Sequence, residues 1–461
     1  MKKIVLSIAG VMAVAAFAPE ASALPVFARQ TGMACSACHF QHFPLLNGFG
    51  RAFKAGGFTM MGAQEKVEGE ALSIPSTLNI AFLASMGYTK TNQTADTTGV
   101  TKNYGNGVWS VPGMASVAGG GSEASLFVGG RVSEFAGFLS EITLGGASAA
   151  LDSAKMPILF PVGDARLGVV PFATNGQGAS YGFEYLNTGA NAIHMQSNTV
   201  GPNGEFAGAM SAQQYLGTNS AATGFALVGN NDMGFVNITK YQQTGLANNS
   251  PSVLGSTYAR VAGTFDMAGW DAGVGIQSWS GSSLFNTAAA FGPAAGAAVG
   301  GAVTVTTAAT QAMQQTRATA IDGQMQGELG GMPVGFYASY ATAPAGTAAV
   351  VNTYNAGTLT RSSFNVNAEL GFIPGVATVG AAVRQGKSGI NNGTGGNLTD
   401  NAIMLTGTYK LQQNMLARLS YVSQSGGLWG NVVNPNAAVA GQTYTQSLGS
   451  KTTMLNMYVL F

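Results

Sequence analysis

The sequence predicts a transmembrane antiparallel β-barrel of about sixteen strands, with a small α-helical segment ahead of it. Three observations predict this class. Charged residues make up 8% of the 461 residues, against roughly 25% in an ordinary soluble domain. Apolar side chains alternate with polar ones along many segments, and the charges keep to the polar parity. Tight turns alternate with long connections rich in Gly, Ala, Asn and Thr.

Composition removes several competing classes. The 66 glycines and abundant Asn, Thr, Ser and Gln hold mean hydropathy to +0.19. Beyond the first residues no apolar run approaches the ~18–20 residues of a membrane helix. Of 20 basic and 19 acidic residues, removing Lys2, Lys3 and Glu20 leaves 18 of each, so no net charge points to nucleic acid. A secreted adhesin built of strands is the remaining competitor.

Lys2 and Lys3 head an apolar run over residues 4–17, and Ala21-Ser22-Ala23 follows with small side chains. This is the pattern of a secretory signal over residues 1–23, cut near Ala23. The run is too short to span about 30 Å of hydrocarbon as an anchor. It predicts export to the bacterial periplasm or outer membrane. Residues 24–72 form the helical segment. Leu46, Phe49 and Phe53 recur at helical spacing, predicting a helix over residues 44–55 that ends at Gly56-Gly57.

Residues 73–461 form the barrel. In a first hairpin Leu126, Val128 and Val132 oppose Arg131, and Ile142 and Leu144 oppose Glu141. Val261, Phe265 and Met267 oppose Arg260 and Asp266; Trp270, Ala272, Val274 and Ile276 oppose Asp271 and Gln277. Ile321, Met325 and Leu329 oppose Asp322, Gln324, Gln326 and Glu328. Phe364, Val366, Ala368, Leu370 and Phe372 oppose Asn365, Asn367 and Glu369. The pattern continues with Val379 and Val383 against Thr378 and Arg384, and with Leu419 and Tyr421 against Arg418 and Gln424. A misplaced Lys or Arg would cost about 2–4 kcal/mol at the bilayer midplane. Glu134 and Arg317 break the parity and are expected in turns or at the membrane edge. A soluble sandwich alternates too, but its outer face carries the charge.

Tight turns fall near Ala268, Gly330 to Pro333, Pro374 and Gln412 to Asn414. Long connections are predicted at residues 91–107, 281–312, 342–359, 385–398 and 424–446. The stretch 110–213 resolves poorly into strands. The last strand ends on Phe461, with Leu455, Met457 and Val459 on the same face, and resembles the tail of bacterial outer-membrane proteins. Single-chain bacterial barrels take an even strand number, hence sixteen.

The only two cysteines lie in Cys35-Ser36-Ala37-Cys38-His39, the attachment signal of a c-type haem. Two thiols at this spacing can each form a thioether to one porphyrin edge, and the next residue then lies under the iron. His39 is the predicted proximal ligand. A structural disulfide or a thioredoxin-like pair would need no adjacent histidine, and a zinc site would find only His42 nearby. The distal ligand stays open among Met33, His42, Met60, Met61 and His194, with Met60 the first choice. A methionine there would raise the potential. His42 follows His39 too closely to reach the opposite face, and a hydrogen bond near the haem edge suits it better. Arg51 and Lys54 are candidates to neutralise the haem propionates.

The stretch Pro25-Val-Phe-Ala-Arg-Gln-Thr-Gly32, the cysteine cluster, Phe43-Pro44, Leu46-Asn47, Phe49-Gly50-Arg51 and Phe53-Lys54 resembles the N-terminus of the fused monohaem cytochrome–porins of iron-oxidising bacteria. The resemblance covers about forty residues; beyond them only architecture and length agree. It implies one covalent haem c on Cys35, Cys38 and His39, a barrel of about sixteen strands in the outer membrane, and one-electron oxidation of extracellular Fe(II). Electrons would pass to a periplasmic carrier such as a soluble cytochrome c or copper protein. The expectation is an iron:cytochrome-type oxidoreductase whose haem sits in the barrel and is reachable from outside. Alternatives are a passive porin with a haem-bearing periplasmic plug, or a conduit for another donor or acceptor.

Overall fold

The computed structural model describes residues 25–62, 64–70, 72–92, 107–112, 123–145, 148–190, 211–244, 253–286, 311–346, 350–429 and 450–461. Its strands close into one antiparallel ring. Among the described residues the ring has sixteen walls, four of them built from two strands in line. Val108–Ser110 and Ala124–Arg131 share the edge of Ile80–Thr91. Ser148–Lys155 and Ile158–Val162 share Ala165–Thr174. Gln311–Gln315 and Ala318–Leu329 share Trp270–Asn286, and Asn397–Thr399 and Asn401–Gln412 share Ala377–Asn391. The ring closes where the last strand, Lys451–Leu460, pairs with Ile80–Thr91.

Turn chemistry explains one end of the cylinder. Met267 pairs with Trp270 and Leu329 with Met332, leaving two-residue turns. Both central residues have positive φ in each: Ala268 at 55° and Gly269 at 83°, Gly330 at 59° and Gly331 at 79°. Such turns match the right-handed twist of the strands they join. The longer connections gather at the opposite end.

The packing is inside out relative to a soluble protein. Ile276, Leu227, Val261 and Ile403 lie exposed on the outside, while Arg260, Arg384, Asn365, Asn367 and Glu369 are buried within. Glu134 lies between Ala124–Arg131 and Gly137–Gly145, and Arg317 in the break before Ala318–Leu329, as their parity required. No described helix is long and apolar enough to cross a membrane.

Three expectations are corrected. The stretch 385–398 is mostly wall: Ala377–Asn391 runs on, then Asn391 and Asn392 side chains accept backbone N–H groups from 393–396 and close a compact turn. Trp270–Asn286 likewise extends past the predicted loop start at 281. The predicted helix 44–55 begins only at Gly48. Its residues are Gly48–Ala55 (α2), because the Asn47 side chain caps the N–H of Gly50 and stops the helix extending backwards. Leu46 and Phe53 are buried but Phe49 is exposed, so the three do not form one face.

The lumen is filled in layers. Residues 25–62, with a first helix Pro25–Thr31 (α1) and α2, occupy the short-turn end. Residues 178–190 fold inward as the middle layer, all buried. A short helix, Ala212–Tyr215 (α3), lies farther toward the long-connection end. Its Tyr215 ring lies between Arg361 and Arg384, 4.7 and 4.8 Å from the ring centre.

Candidate functional site

The cysteine cluster is a tight helical turn. Cys35–Ala37 is one 3₁₀ turn, and the N–H groups of Cys38 and His39 both donate to the Cys35 carbonyl at 3.1 and 2.9 Å. Ser36 and Ala37 are small enough for the chain to turn this sharply. The turn brings the two cysteines and the histidine into five consecutive residues, and no disulfide joins Cys35 to Cys38.

His39 is oriented by its own neighbourhood. Its Nδ1 donates to the Leu45 carbonyl at 2.9 Å, and the backbone bridges to Leu46. That bond puts the proton on Nδ1 and leaves the Nε2 lone pair for a metal, the usual way a ligating imidazole is fixed. Among the described residues no hydrogen bond is made by Nε2. Burial pushes the imidazole pKa down to about 4, with the Leu45 carbonyl opposing, so the ring is neutral at ordinary pH.

Two residues to which the sequence reading gave no role, Asn47 and Gly50, hold this turn. Asn47 donates from Nδ2 to the Ala37 and Ser36 carbonyls at 3.0 and 3.3 Å, and from its backbone N to Cys38 O at 3.0 Å. Its Oδ1 accepts from Gly50 N at 2.9 Å. One side chain therefore caps α2 and clamps the cysteine turn against it. A Cβ on Gly50 would collide with the Cys38 carbonyl, so only glycine permits the approach. An Asn immediately before a helical run was the visible signal for the first.

The other predicted residues divide. His42 is committed by both nitrogens: Nδ1 donates to Phe43 O at 2.7 Å and Nε2 bonds Glu369 Oε1 at 2.8 Å. It is therefore a docking contact with the wall. Arg51 is buried, pairing with Asp271 and donating to Gln326 Oε1 at 3.2 Å. Lys54, on α2, is held well below its usual pKa by burial, with Lys155 adding and Glu184 opposing. Met33 and Met60 are exposed and Met61 half-buried. The Met60 carbonyl is tied to α1 by Gln30 Nε2 at 2.7 Å. His194 lies outside the described residues, as does the signal segment 1–23.

All these wall partners stand near the short-turn end: Asp271, Gln326, Glu369, and Pro333, whose carbonyl accepts from Gln41 at 2.9 Å. The Cys35–His39 turn therefore lies toward the short-turn end. Above it the middle layer interlocks with the segment. Asn187 and Leu46 exchange two hydrogen bonds of 2.8 Å. Asn187 N also donates to Gln324 at 2.6 Å, and Thr188 to Asp322 at 2.6 Å. Arg260, fully buried, pairs with Glu184 at 2.5 Å and with Asp322 at 2.7 Å.

No family model and no curated protein sequence matches the chain. Solved outer-membrane barrels are similar in outline. OmpT of Vibrio cholerae is 11% identical at a TM-score of 0.46, over 86% of this chain and 100% of that one. OmpF of Salmonella typhi, in complex with daunomycin, is 14% identical at 0.46, over 86% and 100%. An anion-selective porin from Comamonas acidovorans is 10% identical at 0.44, over 84% and 99%. At these values the likeness adds nothing to the ring described above.

The residues present fit a covalent haem c. The thiols share one turn, the imidazole offers Nε2, and Met33, Phe49 and Met60 leave apolar surface exposed on the same small module, where water would otherwise be the neighbour.

Proposed function

We propose that the chain is an outer-membrane electron-transfer protein. Cys35 and Cys38 would hold one haem c covalently, and His39 would ligate its iron. The observation that carries the reading is the placement of the Cys35–His39 turn: it is seated inside the mouth of a closed barrel, with its histidine already oriented. Membrane embedding is supported by the apolar exterior and charged interior, since lipid tolerates charges only on the lumenal parity.

When bound, haem c would supply one-electron chemistry: Fe(II) outside loses one electron to become Fe(III), and a periplasmic cytochrome c or copper protein gains it. The chain's own residues do the rest. His39 keeps a neutral imidazole aimed by Leu45, Asn47 fixes the turn, and His42 and Arg51 dock the module on the wall. Met60, or Met61, would supply a further ligand to the iron. Access for the carrier is from the short-turn end, whereas the donor's electron must traverse the middle layer. A plug of the passive-porin alternative would lie in the same place, so solute passage is what separates the two readings.

Stopped-flow reduction in proteoliposomes tests the reading. Fe(II) added outside should reduce the haem while trapped sugars stay inside. A haem that Fe(II) leaves oxidised, but another donor reduces, refutes the iron assignment. A purified protein without covalent haem refutes the whole of it.

A further inference from the structure

Between the haem-binding module and the first wall lies a two-stranded hairpin, Lys66–Gly69 paired with Leu72–Pro75. Val67 pairs with Ile74 and Gly69 with Leu72, so Val67, Leu72 and Ile74 share one face. They are 46%, 43% and 42% exposed. Lys66, Glu68 and Ser73 share the other face, where Lys66 pairs with Glu68 at 2.6 Å. The Lys66 contact, with Arg131 of the barrel rim also in electrostatic reach, holds the Glu68 carboxyl below its usual range. Both faces of the hairpin are thus open, the apolar one as fully as the charged one, whose Lys66 and Glu68 side chains are 37% and 54% exposed.

A hairpin of this size is marginal alone in water, and an apolar patch left open needs a cover. The chain itself indicates which. Leu78, 69% exposed, leads from the hairpin into Ile80–Thr91 and shares outward parity with Ile80, which is itself exposed on the barrel's outer face. The apolar face of the hairpin is thus followed within a few residues by the lipid-facing belt.

We propose that this hairpin lies on the membrane surface at the short-turn rim, with Val67, Leu72 and Ile74 among phospholipid acyl chains and Lys66 and Glu68 toward the headgroups and rim. The inference rests on the membrane-embedded reading of the barrel, not on the haem. Side chains arranged this way anchor an element in the interface by burying apolar area. The consequence for the molecule is positional: the hairpin pins the exit of the module to the rim, so residues 25–62 are held from both ends of their segment.

Photocrosslinking of the full chain in phospholipid nanodiscs tests it, with p-benzoylphenylalanine placed at Ile74, at Ser73, or at Ile276 of the barrel belt. The expected result is a mass gain of one phospholipid at Ile74 and Ile276, with yields alike, and little at Ser73. An adduct at Ile276 but not Ile74 overturns the hairpin proposal and leaves the membrane reading standing. Absence of lipid adducts at both positions overturns the membrane reading itself. If the same probe at Ile74 captures protein in intact cells in preference to lipid, the cover is a partner and the proposal fails.

Discussion

The N-terminal module, residues 25–62, meets the barrel along two unlike seams. On one side Val26 and Phe43 pack with Ala81, Leu83, Phe127 and Leu460 in an apolar cluster. On the other, His42 bonds Glu369, Arg51 bonds Asp271 and Gln326, and Gln41 reaches Pro333. Apolar contact is non-directional, so the first seam gives mainly adhesion. Three hydrogen bonds lie at its edge, from Arg29 to the Ile80 carbonyl, from Arg131 N to Gln30 and from Arg131 to the Thr59 carbonyl. Hydrogen bonds and ion pairs have one good geometry each, so the second sets how the module, and with it the cysteine turn, is rotated in the mouth. Adhesion and register are supplied by different chemistry.

The largest effect expected is Glu369→Ala. His42 and Glu369 are both buried, and removing one partner of such a pair costs about 3–5 kcal/mol. Thr378, which also donates to Glu369 at 2.5 Å, would lose its acceptor as well. The module should loosen while the ring stays intact. Rapid proteolysis within residues 25–62, with single-channel conductance appearing in planar bilayers, is the expected outcome. A variant that stays sealed and protease-resistant would show that the apolar seam suffices for register.

Val26→Ala addresses the other seam. Val26 is fully buried, and losing its two methyl groups should cost about 2 kcal/mol. Because the substitution leaves every hydrogen bond of the module in place, thermal release should come earlier with an unchanged haem absorption spectrum. A shifted spectrum would mean that the two seams are not separable.

Asn47→Ala should cost less stability yet reach the site more directly. Loss of the cap is worth about 1 kcal/mol, but the clamp on the Ser36 and Ala37 carbonyls goes too. The expected signature is a changed haem spectrum or midpoint potential with nearly wild-type resistance to proteolysis, the reverse of Val26→Ala.

Legibility in the sequence followed the same divide between generic and directional chemistry. The parity of Asn365, Asn367 and Glu369 against Phe364 and Val366 showed the barrel plainly, because lipid penalises every exception. The stretch 110–213 hid its strands for physical reasons. Glu141 pairs with Ser153 but Ile142 with Leu151, so Asp152 is an extra residue that reverses the alternation in mid-strand. The inward segment 178–190 has no period to read, since its polar groups are satisfied by Arg260, Asp322 and Gln324 from distant walls. In the module, the cysteine motif marked the proposed ligands, whereas the wall partners of His42 and Arg51 lie more than two hundred residues away in sequence. Arg51 and Lys54 read alike as isolated basic residues of α2; only the fold sets one against Asp271 and the other within electrostatic reach of both Lys155 and Glu184.

Lys54 carries the smallest predicted effect and the one of opposite sign. Burial and Lys155 press its pKa well down, and Glu184 relieves only part of that pressure. A lysine whose folded pKa is depressed binds its proton more readily once the module is undocked. Docking should therefore strengthen as pH rises from the lowered pKa toward the ordinary value near 10.5. Lys54→Met removes the ion and keeps most of the apolar stem, which relieves the burial and Lys155 pressure that Glu184 offsets only in part. The gain should be slight, because an amine that sheds its proton has already avoided much of the penalty. Melting of the docked module followed against pH should show a slope in the wild type and a flatter, slightly higher profile in the variant. If instead the variant loses haem more readily, Lys54 balances a propionate, and the polar seam extends to the cofactor as well as to the wall.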